Sequence, residues 1–158
     1  MGLEIERKFL VDKQLFKPST KGELVHQIYL KKEKSHSIRL RIIGEKAFFT
    51  IKTTVTALVR NEFEYEIPLK DAQEMMELFK DMPSIEKKRY QLMFEGHEWV
   101  IDEFMGANVG LLMAEIELTK TSTRFKTPGW VLKEVTDDPR YRNSNLASFP
   151  FKIWNEKP

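Results

Sequence analysis

Charge in this chain keeps the period of a β-strand. In "EIERKFLV" at 4–11, Ile5 and Phe9 share one face while Glu4, Glu6 and Lys8 share the other, because successive side chains of a strand point to opposite sides. The parity returns along the sequence. Arg39 and Arg41 oppose Ile38, Leu40 and Ile42, and Lys52 opposes Phe49 and Ile51. Glu62, Glu64 and Glu66 oppose Phe63, Tyr65 and Ile67, whereas Lys87 and Arg89 oppose Tyr90 and Leu92. Asp102 opposes Ile101, and Glu115 and Glu117 oppose Ile116 and Leu118. Any one of these strands reads as half-exposed sheet with a solvated face. As a set they do not, because solvated faces mix both signs with Thr and Ser, and like charges side by side cost energy. Each cluster makes sense with a charged ligand. Carboxylate pairs bind hard divalent cations, and arginine and lysine grip phosphate oxygens, arginine bidentately.

Alternating patterns predict strands over 2–10, 23–32, 35–43, 46–54, 60–67, 86–95, 97–104 and 111–120. The dipeptides at 44–45 and 96–97 read as tight hairpin turns, 31–37 as a polar hairpin tip and 105–110 as a looser one. Between the fifth and sixth strands, "PLKDAQEMMELFKDMP" predicts a helix capped by Asp71 with Glu74 as its capping-box partner. Its apolar stripe is Ala72, Met75, Met76 and Phe79, a core-facing pattern. A helical turn is expected near 12–16, and the tail is expected to pack on the body through Leu146, Phe149 and Trp154. Many antiparallel strands with few helices predict a mainly β fold with peripheral helices, closed into a barrel that leaves no edge unpaired. The helices need apolar surface to cover. If the apolar strand faces supply it by pointing outward, the charged faces line the barrel interior.

The 158 residues, with no repeat or Pro/Gly-rich linker, are expected to form one domain over 1–158. The 41% hydrophobic and 32% charged fractions are those of a globular chain. No apolar run is long enough to span a bilayer, and the charged amino terminus is not a secretory signal. The absence of cysteine excludes disulfides and thiolate ligands and leads to a cytoplasmic expectation. A net charge of +2 does not advertise nucleic-acid binding. His26, His36 and His97 lack metal-ligand spacing and read as surface or packing residues. "GANVG" has no strand-to-helix setting and reads as a turn.

The ordered set "EIERKFLV", "IRLR", "FFTIK", "NEFEYEIP", "EKKRY", "VIDEFMG", "GLLMAEIEL" and "EVTDDPRYRNSNLASFP" resembles the CYTH family, the triphosphate tunnel metalloenzymes, and its short bacterial members in particular. The resemblance runs from residue 3 to about 150, with one departure at Leu132, where the family pattern leads one to expect glycine in a turn. It implies a closed antiparallel eight-stranded barrel whose charged interior binds a triphosphate and Mg2+ or Mn2+. By carry-over, Glu4, Glu6, Glu115 and Glu117 are the expected metal ligands, with Glu62, Glu64 and Asp102 as further acidic lining. Lys8, Arg39, Arg41, Lys52, Lys87 and Arg89 are the expected phosphate contacts. Tyr29 falls on the inward parity and matches a tunnel tyrosine, with a packed core tyrosine as the equal alternative. Lys8, Lys87 and Tyr29 are candidates for proton transfer, and no protein nucleophile is assigned.

The expected activity is metal-dependent hydrolysis of inorganic tripolyphosphate to pyrophosphate and phosphate. The alternatives are a class IV adenylyl cyclase, a nucleoside or thiamine triphosphatase, and a non-catalytic polyphosphate-binding module. Class IV cyclases tend to open with a His-Phe-Glu-x-Glu form of the signature, which this chain lacks. The expected partner is a triphosphate-containing small molecule, with neither nucleic acid nor membrane. The sequence leaves the oligomeric state open, a homodimer included.

Overall fold

The computed structural model describes residues 2–158. In chain order the strands are β1 (Gly2–Val11), β2 (Glu23–Lys32), β3 (His36–Ile43), β4 (Lys46–Thr54), β5 (Val59–Ile67), β6 (Ser84–Phe94), β7 (His97–Phe104), β8 (Leu112–Leu118) and β9 (Val131–Glu134). Helix α1 (Leu69–Leu78) follows β5, and α2 (Asn143–Ser148) lies in the tail. The neighbour order β5-β4-β3-β2-β6-β7-β8-β1 closes on itself through an antiparallel β1–β5 pairing, so β1 to β8 form a barrel. Every pairing is antiparallel.

β1 closes the ring by dividing its free edge. Gly2–Ile5 pair with β5, and past that point β9 takes over opposite Phe9 and Val11. The peptide of Lys8 is held there too, its N–H by the Thr136 hydroxyl and its carbonyl by the Val135 N–H. The sequence reading contained no β9. Leu132, expected at a turn, lies half-exposed within this strand.

The outward faces carry the apolar side chains and are covered by the remaining chain. Ala72 and Met76 of α1 bury against Ile28, Leu40 and Ala47 of β2 to β4. Phe9, Trp99, Ile101, Ala114 and Ile116 meet Phe16, Phe125 and Trp130 from the flanking loops. Several of these rings meet edge-to-face, including Phe16–Trp130 at 5.2 Å and Trp99–Trp130 at 5.9 Å between centroids, a geometry that aligns ring edges with π faces.

Local details correct several expectations. α1 begins after Pro68 with no side-chain cap; Asp71 lies inside the first turn, where its charge favours the helix dipole instead of capping an N–H. Phe79 ends the helix exposed, outside the buried stripe. Residues 12–16 form the expected single turn, closed by the Asp12 carbonyl. The second tight hairpin turns at Glu95-Gly96, one residue earlier than expected, because Phe94 pairs with His97. Both turn residues have positive φ, 48° and 81°, which suits glycine at 96 and strains Glu95. In the tail Leu146 and Trp154 are buried, as expected, but Phe149 is exposed.

The inward face is not uniform along the axis. At one end β1, β6, β7 and β8 turn Leu10, Ile85, Phe104 and Met113 inward, and Tyr141, Leu146, Phe151 and Trp154 of the tail pack onto them. One step further into the barrel the same inward positions become Lys8, Lys87, Asp102 and Glu115. The apolar end anchors the tail, and the charged remainder surrounds a cavity.

Candidate active site

The cavity is about 530 Å³ and is lined by side chains from all eight barrel strands and the start of α2. Among its lining residues are Glu4, Glu6, Lys8, Arg39, Arg41, Lys52, Glu62, Glu64, Lys87, Arg89, Glu115 and Glu117. The face whose direction the sequence left conditional therefore points inward. With the apolar faces covered from outside by α1 and the flanking loops, closure leaves the charged face to line the interior.

β1 and β8 supply most of the acidic wall. Their register sets Glu6 directly opposite Glu117 and Lys8 opposite Glu115. A cross-strand carboxylate pair is repulsive on its own. Burial, followed by the neighbouring Glu115, pushes the Glu6 carboxyl up to about 7, against the partial relief of Lys8 and Lys52. Burial together with Glu4 and Glu62 also raises Glu117. Burial would raise Glu115 as well, but Lys8, Lys87 and Arg89 outweigh it, and a hydrogen bond shared with Glu6 holds it well below the usual range. Lys8 Nζ lies 3.6 Å from Glu6 and 3.4 Å from Glu115. Lys52 Nζ bridges Glu4 and Glu62, at 2.9 Å from each. Among the described residues, no three His, Cys, Asp or Glu side chains converge as a ready-made metal cluster; the carboxylates are instead threaded on lysines.

β3 and β6 supply the basic wall, and β2 between them contributes Gln27 and Tyr29. Arg39 donates through Nη2 to the Thr50 hydroxyl (3.2 Å) and to Glu64 (3.3 Å), while its buried Nε has no acceptor. Arg41 donates from Nε to Gln27 Oε1 at 3.0 Å. Burial, then the like charges of Arg39 and Arg89, pull Arg41 down to about 9. Burial also brings Lys87 down to about 7, with Arg89 and Arg41 adding to the fall and Asp102 opposing it. These guanidinium and ammonium groups are crowded together with less negative charge than they need.

Asp102, expected in the acidic lining, is not among the cavity-lining residues. Both its oxygens are taken by residues that do line it, by Lys87 at 2.7 Å and by Arg89 at 2.8 and 2.9 Å. Burial disfavours its charge, yet Arg89 and Lys87 outweigh that and hold it down to about 2. Its place is that of an anchor for two cations.

Tyr29 combines the two alternatives the sequence left open. It lines the cavity and belongs to the apolar cluster, and its hydroxyl accepts a hydrogen bond from Gln27 Nε2 at 2.8 Å. Phe48 shares the inward parity but is not a lining residue. Sequence reading also passed over Gln27, Thr50 and Asn143. The first two sit at inward positions of β2 and β4, where parity was the available signal. Asn143 comes from the tail and carries no such signal.

A family model described as the CYTH domain matches residues 2–146. The chain is 47% identical over 156 residues to an inorganic triphosphatase of Acetivibrio thermocellus, covering 99% of this chain and 100% of that protein. It is 33% identical over 153 residues to an inorganic triphosphatase of Nitrosomonas europaea, covering 91% and 96% respectively. The crystal structure of an inorganic triphosphatase superposes with a TM-score of 0.66 at 31% identity, covering 91% of this chain and 93% of that one. The inward charged parity, the closed antiparallel barrel and these matches lead to one conclusion: the chain belongs to the CYTH domain family.

Proposed function

We propose that this protein is a divalent-metal-dependent inorganic triphosphatase, hydrolysing tripolyphosphate to pyrophosphate and phosphate inside the barrel. The observation that carries the reading is the sorting of charge within one enclosed cavity. Carboxylates on β1, β5 and β8 face cations on β3 and β6 across it, and buried Arg39 Nε still lacks an acceptor. A linear polyanion with bound cations satisfies both walls at once. The relatives named inorganic triphosphatase support the same choice of substrate.

The acidic wall fits a divalent cation on its own chemistry. Its donors are hard carboxylate oxygens, and the Glu6–Glu117 and Glu6–Glu115 juxtapositions leave it with repulsion that a cation relieves. Glu4, Glu6, Glu115 and Glu117 would hold the ion, Mg2+ or Mn2+, with Glu62 and Glu64 beside them. When bound, such an ion neutralises phosphate charge and lowers the pKa of a water molecule. Everything else is the work of the chain. Arg39, Arg41, Lys87 and Arg89 take the phosphoryl oxygens and hold the chain of phosphates in line, where fixed charges stabilise the transition state without reorganising. Lys8 and Lys52, already pairing several carboxylates, are placed to meet the substrate where the two walls join. Tyr29, whose oxygen accepts from Gln27, keeps its own proton available, and with Lys8 and Lys87 it forms the set able to move a proton. Water adds to the terminal phosphorus, the bridging P–O bond breaks, and pyrophosphate leaves.

The balanced net charge of +2 supports a small-molecule partner over nucleic acid, and the absence of cysteine supports a cytoplasmic location. No described helix is long and apolar enough to cross a membrane.

The test is phosphate release from tripolyphosphate with Mg2+ or Mn2+, repeated in excess EDTA. Release that requires the metal supports the proposal. Full activity in EDTA would remove the metal from it. Tight binding of tripolyphosphate with no turnover under any metal would make the protein a binding module instead. Cyclic AMP from ATP would make it a cyclase.

A further inference from the structure

Lys87 is held by the barrel on one side only. Its ammonium has three donors. One goes to Asp102 at 2.7 Å, and a second goes to Asn143 Oδ1 at 2.8 Å, a residue of the C-terminal segment. Lysine carries its charge on a flexible four-carbon stem, so a single acceptor leaves the ammonium free to swing. With two acceptors fixed, the third N–H is aimed, and Lys87 lines the cavity.

Asn143 is itself fixed. Its Oδ1 also faces Gln27 Nε2 at 3.5 Å, and Gln27 in turn holds Arg41 and Tyr29. Asn143 also lines the cavity. The segment that carries Asn143 is clamped on the barrel end. Leu146, Phe151 and Trp154 are buried against Leu10, Phe104 and Met113. Asn108 adds a polar latch, accepting from the Phe151 N–H at 2.8 Å and donating to the Leu146 carbonyl at 3.3 Å. The tail places one amide beside the ammonium that faces the substrate.

We propose that Asn143 is a positioning residue for the reaction: it fixes the Lys87 ammonium toward the substrate, so the site is complete only when the C-terminal segment is seated. The proposal rests on the triphosphatase reading above. It also explains why a neutral side chain fills this position. A carboxylate here would hold the lysine equally well but would repel a polyanionic substrate.

Three variants test it, each assayed on tripolyphosphate with saturating Mg2+ and normalised to folded protein by thermal melting. Asn143→Leu keeps the volume and Asn143→Ala removes it; both lose the acceptor. Each is expected to lower kcat at least about tenfold with KM within about threefold. Asn143→Asp restores the acceptor and is expected to return kcat to within about threefold of wild type while raising KM. A merely structural role would lower all three in proportion to stability. A second readout does not need turnover: the Lys87 ammonium resonance in 15N-labelled protein. It should be protected from exchange in wild type and Asn143→Asp and lost in Asn143→Leu. Wild-type protein inactive on tripolyphosphate would overturn the functional reading, while this resonance would still decide the contact. Unchanged kcat in Asn143→Leu, an aspartate variant as slow as the leucine one, or an unaltered resonance would overturn the proposal.

Discussion

Glu6 faces Glu117 across the β1–β8 ladder and shares a hydrogen bond with Glu115, so without a cation the acidic wall keeps a proton that free carboxylates would lose. The consequence for stability has a definite sign. Glu6 is raised from 4.5 to about 7 in the folded chain. Between those values the folded state binds one more proton than the unfolded state, so stability falls as pH rises, by about 1.4 kcal/mol per pH unit. In EDTA, Glu6→Gln should flatten that part of the profile relative to wild type, and Mg2+ should restore wild-type stability at the upper end. Denaturant midpoints from about pH 5 to 7 measure both, and parallel profiles for the two proteins would contradict the assignment. Glu115→Gln should remove most metal-dependent activity and also lower stability at neutral pH, since it removes the charge that Lys8, Lys87 and Arg89 favour in the folded chain; a fully active variant would take Glu115 out of the ligand set. Arg39 presents the other wall. A lysine there cannot reproduce the planar donor fork, so Arg39→Lys should reduce kcat/KM by about tenfold or more, roughly 1.4 kcal/mol of transition-state stabilisation. Unchanged kinetics would mean that Arg39 does not grip phosphate.

Elements hold these residues in place by burying what lies behind them. β7 carries Trp99 outward with no solvent exposure, against Phe9, Phe125 and Trp130, and carries Asp102 inward three residues later. Trp99→Ala should cost about 3–5 kcal/mol and lower the melting temperature steeply. A loss below about 1 kcal/mol in equilibrium unfolding would show that this cluster does not clamp the strand. The strands and their inward parity were legible in the sequence because alternation records which face is buried, and that parity also named most of the cavity wall. Three features were not legible. β9 is four half-exposed residues whose strand character comes from the uncovered edge of β1, and Val131–Glu134 carries too little pattern to announce it. Asp71 had the spacing of a cap, but Pro68 starts the helix earlier. Asp102 had inward parity like its neighbours, but Lys87 and Arg89 on the adjoining strand cover it, which only the β6–β7 register reveals.

At the scale of the whole molecule, closing the sheet turns repulsion on each strand into attraction between walls. Polar and ionic groups dominate the cavity lining, and Tyr29 is the aromatic residue on it among the described residues. Such a site draws its binding energy from phosphates and has little with which to read a base. Binding energy used at the reacting phosphates lowers the barrier, while an adenosine group mainly adds bulk. Pyrophosphate is too short to engage both walls together. The decisive measurement is kcat/KM for tripolyphosphate, ATP and pyrophosphate side by side at saturating Mg2+. Tripolyphosphate well ahead of ATP, with pyrophosphate poor, is the result expected of a triphosphate tunnel. ATP equal to or better than tripolyphosphate would contradict it.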